Sequence, residues 1–326
     1  ILLGIFIVVA IFVLSPKSVF ARDWTYNINE IETLEKIDLD NTNAVIDIEN
    51  KEIRLPFSTS PNAIDFSPDG SYSYAVLTDN GLKYFMFDGD EIVENTVLRV
   101  NTTNPLGFAL IQSFPDAAIV AKDGVSVFKF SGSGMTEVPI LGVQGLSNTI
   151  SIATLNKNMY SVLDEDNVKT FGFSGSEMIE IQELAIKGLT DPVALAATKN
   201  NEIAVIEKDK IRWFGFTGDN MLEIPALSIT NDLTDLKSLA IDNGRITVID
   251  DKEIKTFLYD GSKMSKVTAL SVTSGLTKPS AIALRPGSFD LLVVDGKNID
   301  YYAFDGTQMI KNDMLSIVVE DVLTGS

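Results

Sequence analysis

Phe214-Gly215-Phe216-Thr217-Gly218 reads as a β-strand running into a tight turn: two aromatics on one strand face, a short hydroxyl residue, then glycine. The phrase returns as Phe85-Met86-Phe87-Asp88-Gly89, Phe128-Lys129-Phe130-Ser131-Gly132 and Phe171-Gly172-Phe173-Ser174-Gly175. Two further copies are Phe257-Leu258-Tyr259-Asp260-Gly261 and Tyr302-Ala303-Phe304-Asp305-Gly306. The turn glycines lie 43, 43, 43, 43 and 45 residues apart. A beat of this length, with strand-like content and almost no helical periodicity, predicts an all-β β-propeller of four-stranded repeats.

One repeat can be read outward from the quoted phrase. Pro192 to Ala197 is small and apolar, as an innermost strand covered on both faces should be. Glu202 to Glu207 reads as the second strand, Ile211 to Phe216 as the third, and Met221 to Ile229 as the fourth. Pro225 within that fourth strand fits only a sheet edge. Innermost strands open near Pro61, Pro105, Thr149, Pro192, Leu236 and Pro279.

Three residues after the turn glycine stand Met135, Met178, Met221, Met264 and Met309, with Ile92 in the first copy. A metal ligand set must converge, whereas these residues sit one per blade, so they read as filler between blades. The aromatic pairs read the same way, as blade packing. The turn glycines supply positive φ in hairpins, and neither a P-loop nor a dinucleotide fingerprint occurs.

Ala63-Ile64-Asp65-Phe66-Ser67-Pro68-Asp69-Gly70, followed by Tyr74-Ala75-Val76-Leu77, resembles the signature of YVTN/NHL-type β-propellers. A variant stands in the sixth repeat as Ala281 to Gly287 followed by Leu292-Val293-Val294. The resemblance covers the chain from about residue 44 onward and implies the propeller fold. It implies no single activity, since such propellers include scaffolds, binding proteins and a few lyases or hydrolases.

Composition narrows the chemistry. The chain has no histidine and no cysteine, which excludes a Ser-His-Asp triad, thiol chemistry, disulfides and His-ligated zinc. The net charge of −19 carries no basic block, which argues against nucleic acid and anionic membrane surfaces as partners. Catalysis by a pair of carboxylates remains open. No such pair can be picked from 45 acidic residues, and the chain reads as non-enzymatic.

The turns between second and third strands each carry an aspartate: Asp79, Asp123, Asp164 and Asp166, Asp209, Asp250 and Asp295. Together they could form a carboxylate ring for Ca²⁺ or a cationic partner, on the end of the propeller that also holds the blade-to-blade linkers. Ordinary turn chemistry, which favours aspartate anyway, is the plainer reading. No other cofactor is implied.

Residues 1–14 are an unbroken apolar run, and Val19-Phe20-Ala21 offers a signal-peptidase site. We therefore read 1–21 as a secretion signal, 22–60 as an N-terminal segment, and 61–326 as the propeller. Residues 1–14 would touch membrane only if the segment stayed uncleaved. Residues 44–57 have the phase of third and fourth strands, so they read as half of a seventh blade, a six-bladed ring being the second choice. The expected role is an exported binding or scaffold module, at the cell surface or extracellular, that takes a protein or glycan ligand on a rim face. The rival is a carboxylate-dependent hydrolase or lyase acting on polysaccharide. For that rival, Trp24, Tyr26, Tyr72 and Trp213 are the aromatics left over to stack on sugar.

Overall fold

The computed structural model describes residues 25–27, 45–47, 52–54 and 63–319, apart from 103, 112, 113, 199 and 243. Residues 1–58 and 59–326 form two separate units. The signal-like segment 1–21 and Trp24 lie outside the described residues.

The larger unit is a ring of six antiparallel sheets, each with its strands in chain order. Blade 4 is representative: Pro192–Ala197, Glu202–Glu207, Lys210–Phe216 and Met221–Glu223. The innermost strands of the other blades are Ala63–Phe66, Gly107–Leu110, Thr149–Asn156, Leu236–Asp242 and Pro279–Leu284. Among the described residues there is no helix beyond three-residue 3₁₀ turns.

The strand covered on both faces is the second, not the first. Tyr74–Thr78, Arg245–Asp250 and Leu291–Asp295 are buried along their whole length. Innermost strands border the central channel, and Pro192–Ala197 is accordingly half-exposed at most positions. Apolar side chains therefore collect in six clusters, each spanning the seam between two blades. The phased methionines fill these seams: Met221 packs with blade 3, Met264 with blade 4 and Met309 with blade 5.

The fourth strand departs from its expected form. It pairs with the far end of the third strand over Met221–Glu223, then breaks into a 3₁₀ turn over Pro225–Leu227. The chain rejoins the near end of the same third strand at the Ile211–Ile229 bridge. Pro225 is thus the first residue of a tight turn, where a missing N–H costs nothing, and not a residue of an edge strand. Pro139 does the same in blade 2. Just before the turn, Ile224 folds over Gly215, where an added Cβ would stand 2.8 Å from its Cδ1. Ile181 lies at the same distance over Gly172 in blade 3, which explains the glycine between the two aromatics of these copies.

The six turn glycines all lie between third and fourth strands, with φ from 93° to 115° and open space at the Cβ position. Backbone conformation alone requires glycine there. This end of the ring, which also carries the loops between first and second strands, is called the turn face below.

The ring closes without a seventh blade. The innermost strand of blade 6 packs against that of blade 1, as consecutive blades do elsewhere. Their shared cluster includes Phe66, Tyr74 and Val76 with Leu292, Val294 and Tyr301. In the smaller unit, Val45–Asp47 and Glu52–Arg54 do pair as a hairpin. A third strand, Thr25–Asn27, joins on the Glu52–Arg54 side, the outer position of a blade and not the inner one. The half-blade expectation is therefore corrected to a separate three-stranded sheet.

Candidate functional site

The seven turn aspartates do not act as one group. Asp164 and Asp250 are buried, and each reaches back to clamp the linker that enters its own blade. Asp250 accepts from the Thr234 amide at 2.9 Å, the Thr234 hydroxyl at 2.8 Å and the Asp235 amide at 2.6 Å, with Lys255 on its other oxygen. Asp164 accepts from Ser147 and Asn148 at 3.0 and 2.8 Å and pairs with Lys169 at 2.6 Å. Asp295 holds Thr277 and Lys278 in blade 6, and Glu207 holds Thr190 in blade 4. Burial opposes ionisation of Asp164, Asp250 and Glu207, but the lysine and amide donors outweigh it and keep all three below the usual carboxylate range. Asp123, Asp166 and Asp209 point to solvent, and Asp79 is half-buried. Among the described residues, no group of three acidic side chains is placed to hold a metal ion.

The aromatic pairs divide. The first member is buried, as at Phe85, Phe171, Phe214, Phe257 and Tyr302. The second is the last residue of the third strand, at the end of the sheet, and it emerges: Phe87, Phe130, Phe216 and Tyr259 are 36 to 45% exposed. Tyr72 and Phe289, in the loops between first and second strands, are exposed at the same end. Every exposed aromatic among the described residues therefore lies on the turn face. Packing was the expected role of both members, and it holds only for the first. Trp213, a candidate for stacking on sugar, is fully buried in the seam between blades 4 and 5. Tyr26 lies in the N-terminal sheet.

Where blade 6 meets blade 1, the two loops with the propeller signature touch. Arg285 Nε donates to the Gly70 carbonyl at 2.8 Å, its Nη1 reaches Asp290 at 3.1 Å, and its guanidinium lies 3.9 Å over the Tyr72 ring. The Tyr301 hydroxyl donates to the same Asp290 carboxylate at 2.6 Å. One face of Tyr72 is thus already covered.

The channel holds a cavity of about 360 Å³, and a second of about 430 Å³ opens at its turn-face mouth. Strand pairing aligns Asp65 with Ala109, Ala153, Ala196, Ala240 and Ala283 of the other blades. One carboxylate thus stands in a ring of five methyl groups, and it lines both cavities. Its Oδ2 accepts from the Leu110 amide of blade 2 at 2.9 Å. Burial raises its pKa to about 7, against the opposing pull of the Leu110 and Phe66 amides. Sequence reading missed Asp65 because it sits inside the signature stretch. Laying the innermost strands one above another at the repeat spacing would have shown an acid where five alanines stand.

No protein-family description and no curated protein matches the chain. Solved structures do match in fold. A candidate 6-phosphogluconolactonase from Bacteroides uniformis superposes with a TM-score of 0.57 at 16% identity, over 83% of this chain and 90% of that one. The nidogen/laminin complex gives 0.55 at 13% identity, over 71% and 89%. A functionally unknown protein from Desulfotomaculum acetoxidans gives 0.53 at 14% identity, over 74% and 77%. At these identities the likeness shows the β-propeller fold alone.

Proposed function

We propose that this chain is an exported, non-enzymatic binding module that takes a protein or glycan ligand on its turn face. The observation that carries the reading is the confinement of all described exposed aromatics to that one end. Aromatic side chains offer large, rigid contact area at low entropic cost, and they are the usual anchors of protein and sugar recognition. An acidic surface elsewhere keeps the module soluble and selects against polyanions. The nidogen propeller, solved in complex with laminin, is a structural neighbour that meets a protein partner. Export rests on the apolar segment and the signal-peptidase-like Val19-Phe20-Ala21. We also assign the repeats to the YVTN/NHL type on Phe66-Ser67-Pro68-Asp69-Gly70, in which one Asp69 oxygen accepts from the Ser67 hydroxyl and from the amide of the following Ser71.

The test is a glycan array and a panel of extracellular-matrix proteins, probed with the wild type and two variants. Phe130→Ala/Phe216→Ala/Tyr259→Ala removes three anchors, and Asp123→Asn/Asp166→Asn/Asp209→Asn removes three exposed acids from the opposite end. Binding lost more than about tenfold in the first and kept in the second is the expected result. The reverse pattern would move recognition to the linker face.

The hydrolase or lyase reading has one observation of its own, the two acids Asp65 and Asp242 lining the channel mouth. Release of reducing ends from a polysaccharide panel, abolished by Asp65→Asn, would establish it instead.

A further inference from the structure

The outer edge of the ring changes sign between blades 4 and 5. The fourth strands end on Glu94, Glu137, Glu180 and Glu223 in blades 1 to 4, and on Lys266 and Lys311 in blades 5 and 6. Matching neighbouring blades position by position therefore sets Glu against Glu across the first three seams, and Lys against Lys between blades 5 and 6. Between blades 4 and 5 it sets Glu223 against Lys266, and in the turns Asn220 against Lys263, Asp219 against Ser262 and Thr217 against Asp260. All eight of these residues are exposed, and no like charges meet. One strand further in, Arg212 and Lys255 are each held by an acid of their own blade, Glu207 and Asp250. Between blades 6 and 1, Lys311 stands against Glu94, but each is already paired, with Asp300 and Arg99, and Asp305 stands against Asp88.

The seam of blades 4 and 5 also carries an apolar side chain among these charges. Leu222 is 52% exposed and pairs with Gly215, on the face of blade 4 whose Ile224 packs with Met264 of blade 5. The 3₁₀ turns beside it, Pro225–Leu227 and Thr268–Leu270, hold no charged residue.

A surface that meets a second copy of itself across a two-fold axis must be complementary to its own half-turn image. With the axis parallel to the channel and passing the seam of blades 4 and 5, blade 4 of each copy faces blade 5 of the other. Glu223 then meets the partner's Lys266, Asn220 meets the partner's Lys263, and both contacts occur twice. We propose that this outer edge is the interface of a two-fold dimer, with Leu222 near the axis and a Glu223–Lys266 pair on each side. An apolar centre flanked by charge pairs is the ordinary anatomy of such a contact. Because the axis runs along the channel, both turn faces look the same way, and a repetitive ligand could engage the two together. Dimerisation does not depend on what the turn face binds, and either can fail alone.

The experiment is sedimentation velocity of the full chain over a concentration series, in about 150 mM salt so that screening leaves mainly short-range pairs. The wild type should form a reversible dimer as concentration rises to about 100 µM. Lys263→Glu/Lys266→Glu makes both halves of the edge acidic, and Asn220→Lys/Glu223→Lys makes both basic. Each should dimerise at least about tenfold more weakly than the wild type, since like charges then face each other. Mixed one to one, the two variants are complementary again on both sides of the axis, and a mixed dimer should return. Cooperative melts show that the variants are folded; Asn220→Lys alone replaces the second if loss of the Arg212–Glu223 contact unfolds it. A wild type that stays monomeric throughout, variants that dimerise as the wild type does, or a mixture that stays monomeric would each overturn the proposal.

Discussion

Acids that folding draws away from bulk water decide much at the scale of single residues, and they act in opposite directions. Asp250 meets four donors from Thr234, Asp235 and Lys255, so its folded form prefers the ionised state. Replacing it with alanine leaves Lys255 only the Asp232 carbonyl and frees the linker, and should cost about 3 kcal/mol by urea unfolding. Because its pKa is lowered on folding, that contribution is present above the ordinary carboxylate range near pH 4 and lost as pH falls below it. The Asp250→Ala deficit should therefore shrink in acid. Asp65 has the reverse sign. Its pKa rises from 3.8 to about 7 on folding, so the unfolded chain gives up the proton first and stability drains away between those pH values as pH rises. Asp65→Asn should stabilise the fold at pH 8 by on the order of 2 kcal/mol, with a raised melting temperature, and change little at pH 4. A melting temperature lowered at pH 8 would contradict the burial argument. Neither role could be read from sequence. Asp164 and Asp250 look identical to solvent-facing turn aspartates such as Asp209 until the linker they clamp is folded over them.

Among the elements, the fourth strand best shows how local chemistry sets form. A serine follows the 3₁₀ turn in blades 4 and 5, and the same place in blade 6 holds Ser316. Ser228, Ser271 and Ser316 accept from the amides of Trp213, Thr256 and Tyr301 at 3.0 to 3.1 Å. The side chain satisfies a third-strand N–H that the interrupted ladder leaves open. Ser271→Ala should cost about 1 to 2 kcal/mol, because the Thr256 amide is buried, and hydrogen exchange at that amide should speed up. An unchanged exchange rate would mean that water replaces the hydroxyl at no cost. The sequence showed this element's position through Met221 and Leu222 but not its break, since an apolar Met-Leu-x-Ile run continues through the turn. Only Pro225 and Pro139 hinted at it, and an edge strand explained them equally well. The third strand was the most legible, because a positive φ at the following turn can be met only by glycine or a few polar residues.

For the molecule as a whole, repeat count and ring closure separate. The six beats were open to reading because each blade repeats the same packing problem. Closure was not, because it depends on how wide each wedge is, a property of seam packing and not of any motif. Blade 6 meets blade 1 through Phe66, Tyr74, Leu292 and Tyr301, with Arg285 bonded across to Gly70. The exposed second aromatics escaped notice for a related reason. Whether Phe130 or Phe216 is covered depends on how far a neighbouring blade extends past the end of its strand. The central claim, a six-bladed ring complete in itself, is tested most directly by removing residues 1–58. The truncated chain, compared with the whole by light scattering and thermal melting, should keep the oligomeric state of the whole and a single cooperative transition within about 4 °C. Oligomers formed through an open strand edge, or loss of the cooperative transition, would show that the ring needs strands from the N-terminal unit and would contradict the account.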